Sequence, residues 1–235
     1  MNFRELEEQF SAVLGLARRP VAIASVSQPP TNVSKFEGRV PSGCTFWALA
    51  AEGRTFYTVP SDHYNCPIGC YTHNIPLPPD REAELMGTLG LMSEIGYLRM
   101  EEVAGIPRLA TPPGAVIYAP LGDTPVDPDV VVFAGPAGRV MMLQEAAIRA
   151  GVAAQLSTLG RPTCMAVPAA MALGMVASTG CIGNRVYTGI TEADLYAVIP
   201  GPALGKVADE ATTIADANAK LLEYHAQRRQ QLLST

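Results

Sequence analysis

The sequence predicts a single α/β or α+β domain in which helices flank a mixed sheet. Short apolar runs alternate with stretches of helical periodicity, glycine and proline punctuate them without a period, and 235 residues suffice for one large core. Apolar residues make up 48% and charged residues 17%, a balance that excludes a disordered chain. Seventeen Lys and Arg stand against 22 Asp and Glu, and the basic runs are Arg18-Arg19 and Arg228-Arg229. Neither a nucleic-acid groove nor a polybasic membrane patch is therefore expected.

The elements follow in order. Phe3, Leu6, Phe10, Val13, Leu14 and Ala17 recur at steps of three and four, which predicts an amphipathic helix ended by Pro20. Residues 21–26, VAIASV, read as a short buried strand. A loop rich in Pro, Asn, Ser and Gly runs over 28–43. Residues 44–51 read as a helix and 55–59 as a strand, and 60–79 is a long irregular segment of the kind that carries function in compact domains. A helix over 80–95 turns Leu85, Leu89 and Met92 inward, with strands next at 115–118 and 130–133 and a helix over about 138–150. Leu195–Ile199 is the last strand. The final helix, 209–233, has acids at its start and Arg228 and Arg229 near its end, as the helix dipole favours. On that helix His225 falls on the spacing of Leu221 and Leu222 and reads as a packing histidine; Trp47 reads as a core anchor.

Residues 162–184 form the longest uncharged stretch, but Pro168, Gly174, Gly180 and Gly183 interrupt it, so it reads as protein interior, not as a membrane span. The opening MNFRELEEQF has acids within a helical pattern and no charged-then-apolar leader, so a cytoplasmic protein is expected. In that reducing compartment an odd number of cysteines, five, points to thiols or ligands in place of disulfides.

An internal echo suggests duplication, with half-repeats at about 20–110 and 115–200. In the first half Cys44 precedes an alanine-rich helix and the strand RTFYTV, and then comes NCPIGCYTHNI. In the second half Cys164 precedes an alanine-rich helix and MVAST, and then comes GCIGNRVYTGI. A pseudo-twofold axis relating the halves would bring Cys44, Cys66, Cys164 and Cys181 together.

Two segments carry the candidate chemistry. His63-Tyr-Asn-Cys66-Pro-Ile-Gly-Cys70-Tyr-Thr-His73 holds two of the three histidines and two of the five cysteines. Its spacing is not that of a zinc finger, and with Pro67 and Gly69 between them Cys66 and Cys70 are not expected to share a regular helix. Four thiolates from distant loops can instead hold an iron–sulfur cluster or a tetrahedral zinc, and one thiolate can ligate haem. Cys66 is alternatively a nucleophile with His63 or His73 as base, acting on a small molecule. The second segment runs from Gly180 to Gly189; its Asn184, Arg185 and Tyr187, with Asn65, are candidates to orient a bound group. A bland alternative remains, in which the cysteines are small core hydrophobes of a non-catalytic ligand-binding protein.

At these motifs the sequence resembles an uncharacterised bacterial and archaeal family, domain of unknown function 169. The matching residues are 37–47 (EGRVPSGCTFW), 56–73, 160–164 (GRPTC), 180–188, and Tyr224-His225. The resemblance implies that Cys44, Cys66, Cys164 and Cys181 are motif positions, whereas Cys70 departs from a pattern that commonly has a small residue there. It brings no activity with it. The reading is thus a thiolate-bound redox or sensing cofactor, iron–sulfur or haem ahead of zinc, in a soluble protein for which a homodimer is the expected assembly.

Overall fold

The computed structural model describes residues 1–152 and 158–234. Its helices are α1 (Phe3–Leu14), α2 (Gly43–Ala51), α3 (Pro67–Thr72), α4 (Pro79–Glu94), α5 (Ala137–Arg149), α6 (Ala166–Leu173), α7 (Ile182–Thr188) and α8 (Leu204–Leu233). The strands β1 (Val21–Val26), β2 (Phe56–Thr58), β3 (Ala115–Pro120), β4 (Val130–Pro136), β5 (Thr158–Leu159), β6 (Val176–Ser178) and β7 (Asp194–Pro200) form one sheet in the order β2-β3-β1-β4-β7-β6-β5. All neighbours are antiparallel except the short β5–β6 pair, which makes the sheet mixed.

Strand alternation sorts side chains onto two faces. Ala22, Val131, Phe133, Ala197 and Ile199 face one core, which is closed by Phe10, Leu14, Leu143, Leu204 and Val207 of α1, α5 and α8. Val21, Ile23, Tyr118, Val130, Val132, Tyr196 and Val198 face the other, where Phe46 and Trp47 of α2 and Ala166–Ala170 of α6 cover them. Trp47 is an anchor as expected, 3% exposed and edge-on to Tyr196.

The sheet's register is symmetric about its centre. β1 and β4 pair through Val21↔Val132, Ala22↔Val131 and Ile23↔Val130, a ladder symmetric about its middle pair. Outward from it, Val21 lies opposite Pro120 of β3 and Val130 opposite Pro200 of β7. One strand further out, Phe56 of β2 faces Tyr118 and Val176 of β6 faces Val198, each two residues before its proline. Both β3 and β7 then run into a 3₁₀ turn, Leu121–Asp123 and Gly201–Ala203. A twofold rotation through the Ala22–Val131 pair therefore exchanges β1 with β4, β3 with β7 and β2 with β6. The strands so exchanged lie within 21–120 and 130–200.

Other expectations need correction for local physical reasons. α1 stops at Leu14, well before Pro20, because Gly15 takes the left-handed conformation (φ 55°) and returns its N–H to the Ser11 carbonyl. Segment 60–79 is not irregular throughout: it contains a 3₁₀ turn, Pro60–His63, and α3, with Pro67 at the first helical position, where its missing N–H costs nothing. α8 begins at Leu204, and only its first part is buried, through Ile214. Leu221, Leu222 and Tyr224 are exposed, and His225 stands in solvent beside the Tyr224 ring at 5.1 Å instead of packing inward. Among the described residues no helix is long and apolar enough to cross a membrane.

Candidate functional site: four cysteines at helix starts

Each of the four motif cysteines stands where a helix begins. Cys44 is the second residue of α2, Cys66 is the N-cap of α3, and Cys181 is the N-cap of α7. Cys164 lies in the 3₁₀ turn Thr163–Met165 that leads into α6. The rotation that relates the halves exchanges Cys44 with Cys164 and Cys66 with Cys181. Helix starts supply free backbone N–H groups, which favour a nearby negative charge.

The four are neighbours in space: each acts electrostatically on each of the other three, a charge on one disfavouring a charge on the next. Burial is the larger effect and pushes the thiols of Cys44, Cys66 and Cys164 up, with the neighbouring sulfurs adding to it. Two backbone N–H groups oppose this at Cys66, those of Gly43 at the start of α2 and Gly69 in α3. A Cβ on Gly69 would come within 3.0 Å of Cys66 Sγ, so the bare backbone there makes room for the sulfur. Cys44 and Cys164 are 5% exposed, whereas Cys66 and Cys181 are half-buried, so the group opens to solvent along the Cys66–Cys181 edge. The Cys181 N–H donates to Thr163 Oγ1 at 2.6 Å, tying the two second-half cysteines together. Tyr118 of β3 lies near three of them, its hydroxyl pushed up by burial and by the Cys44, Cys164, Cys66 and Cys70 sulfurs. Among the described residues no three or more His, Cys, Asp or Glu side chains are arranged to hold a metal ion, so this is not a preformed cage for a single ion.

A profile of the family described as "uncharacterised ArCR", domain of unknown function 169, matches residues 9–210. The chain belongs to this family. No curated protein and no solved structure matches it. The part that matches domain 169 contains both halves of the sheet and all four cysteines; it leaves out the exposed end of α8, where the Tyr224-His225 resemblance lies.

Of the residues expected to orient a ligand, only Asn184 faces the cysteines of this domain-169 chain. It is 2% exposed and lowers the Cys44 thiol pKa. Arg185 turns its guanidinium onto the Thr179, Thr191 and Asp194 carbonyls and so ties α7 to the sheet edge; none of these donors points to a ligand. Tyr187 is 47% exposed, and Asn65 is exposed, its side-chain N–H donating to the Val40 carbonyl at 3.2 Å. The turn after Cys66 through Gly69 was expected to present backbone N–H groups, whereas the parts played by Gly43, Thr163 and Tyr118 escaped the sequence reading. Tyr118 and Thr163 reach the site only through tertiary structure.

The histidines are turned to other partners. His63 Nε2 shares a 2.7 Å hydrogen bond with Thr58 Oγ1, and His73 Nδ1 lies 3.0 Å from the Gly69 carbonyl. Neither is hydrogen-bonded to Cys66, so the base expected for a Cys66 nucleophile is not in place. Burial, aided by the charge of His73, pulls the His63 pKa from 6.5 down to about 3, and burial lowers His73 too. Between those values the unfolded chain binds protons that the folded one refuses, so stability rises with pH. It should fall by about 1.4 kcal/mol per pH unit on account of His63 as pH drops below about 6.5, with His73 acting in the same direction. Urea midpoints at pH 7.5, 5.5 and 4.5 test this; a flat profile would contradict neutral buried imidazoles.

Proposed function

We propose that this domain-169 protein holds an iron–sulfur cluster on Cys44, Cys66, Cys164 and Cys181 and serves a redox or sensing role. The observation that carries the reading is the meeting of four thiols from both halves of the chain. A group shared by all four must lie on the pseudo-twofold axis, reached by two helix starts from each half.

The donor set fits such a group. Burial and repulsion from neighbouring sulfurs push the Cys44, Cys66 and Cys164 thiols up, and a cationic metal core would remove both the repulsion and the protons. A tetrahedral zinc needs sulfurs about 3.8 Å apart, from Zn–S bonds of about 2.3 Å. Haem would use one thiolate and leave three unexplained. A bound cluster would supply one-electron redox chemistry. The protein's own part is to exclude water from Cys44 and Cys164 and to aim the Gly43 and Gly69 N–H groups at Cys66. Such thiols persist in a reducing compartment, the cytoplasm.

The test is anaerobic purification followed by reconstitution with iron and sulfide. A broad absorption near 400 nm (approximate) with stoichiometric iron and acid-labile sulfide is expected. Protein that stays colourless and iron-free after reconstitution sinks the reading, and stoichiometric zinc in its place would make the site structural or hydrolytic.

A further inference from the structure

α8 is 30 residues long, yet the body of the domain holds only its first part, where Leu204, Val207, Ala208, Ala211 and Ile214 are buried. From 219 to 234 every residue is exposed, and among the described residues no element covers this stretch. The stripe that faces the core does not stop where the cover stops. From Ile214, steps of four and three lead to Asn218, Leu222, His225, Arg229 and Leu233, all on one side of the helix. Leu222 is 72% exposed and Leu233 76%, and Leu221 at the edge of the stripe is 54% exposed. Three large aliphatic side chains thus line about 20 Å of uncovered helix, whereas a helix draws most of its stability from packing such a face.

Reversed, the stripe is complementary to itself. In an antiparallel pair of α8 helices centred between residues 223 and 224, Ile214 lies opposite Leu233 of a second copy, Asn218 opposite Arg229 and Leu222 opposite His225, so all six positions find a partner. The one charge on the stripe then meets an amide. Asn218 already donates its side-chain N–H to the Ile214 carbonyl at 3.0 Å, and its amide oxygen can accept from a guanidinium. A parallel pair would instead set Arg229 against its own copy and align the two helix dipoles. The antiparallel overlap, 214 to 233, is about 30 Å long and covers roughly 500 Å² per copy, at the low end for specific interfaces, so association at micromolar concentration is expected.

We infer that the outer half of α8 is a self-association surface, on which a second copy of this chain lays its own α8 antiparallel, in the register that sets Asn218 against Arg229. The inference is independent of the cluster, since α8 carries none of the cysteines.

The experiment is sedimentation equilibrium of the full chain from micromolar to near-millimolar concentration, native and in three variants. The native chain should reach twice its monomer mass. Leu222→Lys places a charge in the middle of the seam and should weaken the dimer about tenfold or more. Gln227→Lys adds the same charge on the opposite side of the helix, beside Glu223, and should leave the dimer at its native strength. Asn218→Asp creates an ion pair with Arg229 of the second copy at both ends of the seam and should tighten the dimer about fivefold. Position 222 lies outside the body of the domain, so a native urea midpoint is expected for Leu222→Lys and separates lost association from unfolding. A dimer that survives Leu222→Lys overturns the inference, because its interface then lies elsewhere. Weaker association of Asn218→Asp also overturns it, since only a parallel pair sets that residue against itself. A native chain that stays monomeric overturns it outright: sedimentation with phosphatidylserine vesicles would then assign the stripe to a lipid surface, and its failure to do so would leave the stripe to a different protein.

Discussion

Cys66→Ser and Cys181→Ser are each expected to reduce cluster retention at least tenfold while leaving a folded protein, and Cys70→Ser to leave retention at the native level. The two susceptible cysteines are symmetry mates, both N-caps of short helices and both half-buried. Serine suits an N-cap, so the helix starts survive the change, and at position 66 the Gly43 and Gly69 N–H groups still meet an acceptor. What serine lacks is the soft, readily ionised sulfur that iron requires. Cys70 lies one turn further into α3, its thiol pushed up to about 12 by burial and by the Cys66 charge and already bonded to the His63 carbonyl. Cys44 and Cys164 are less clean tests, since serine there buries a hydroxyl at a cost of about 1–3 kcal/mol. Iron and sulfide per chain after identical reconstitution, read beside the urea midpoint, separate ligand loss from unfolding. Native iron content in Cys66→Ser would remove it from the ligand set, and equal loss in Cys70→Ser would undo the symmetry argument.

Much of the fold was legible because strand interiors here are continuous apolar runs, which stand out without partners. VAIASV and VVVF are strands wherever they pair, and the sheet that forms buries them on both faces. The register that makes the halves superpose could not be read, because pairing is a property of two segments and the sequence presents one at a time. Local punctuation misled where its meaning depends on position. Pro67 looked like a breaker of segment 60–79, yet it opens α3, while Gly15, which looked neutral, ends α1. The spacing of Leu221, Leu222 and His225 reports an apolar face and says nothing of whether an element covers it; none among the described residues does. At the site, the cysteines were legible through repetition, since Cys–helix–strand–Cys occurs twice. Arg185 was not: a guanidinium can satisfy a ligand's carboxylate or three carbonyls of its own chain, and only the path of 179–194 decides for the carbonyls.

Gly201→Ala should destabilise the fold by about 3 kcal/mol or more, the largest single effect expected on stability. The reason is space, not backbone freedom. A Cβ on Gly201 would lie 1.7 Å from the Pro128 carbonyl oxygen and 2.8 Å from its carbon, and backbone on both sides cannot give. The contact sits at a knot. The Gly201 N–H donates to the Asp129 carbonyl at 2.8 Å, the Asp129 N–H donates to Ile23, and the Ser25 N–H donates to Asp129 Oδ2 at 2.7 Å. The end of β7, the approach to β4 and the strand β1 are thereby joined beside the ladder through which the two halves meet. Gly205→Ala is the control: it lies in α8, its Cβ would meet only the flexible end of Met1 at 3.4 Å, and helix propensity predicts a gain of up to about 1 kcal/mol. A Gly201→Ala midpoint within about 0.5 kcal/mol of native would show that the knot can open without cost. Because the four cysteines come from both halves, loosening their junction should also weaken cluster retention. Gly201→Ala then lowers midpoint and iron content together, whereas Cys66→Ser lowers iron content alone, and the pair divides what the fold contributes to the site from what its sulfurs contribute.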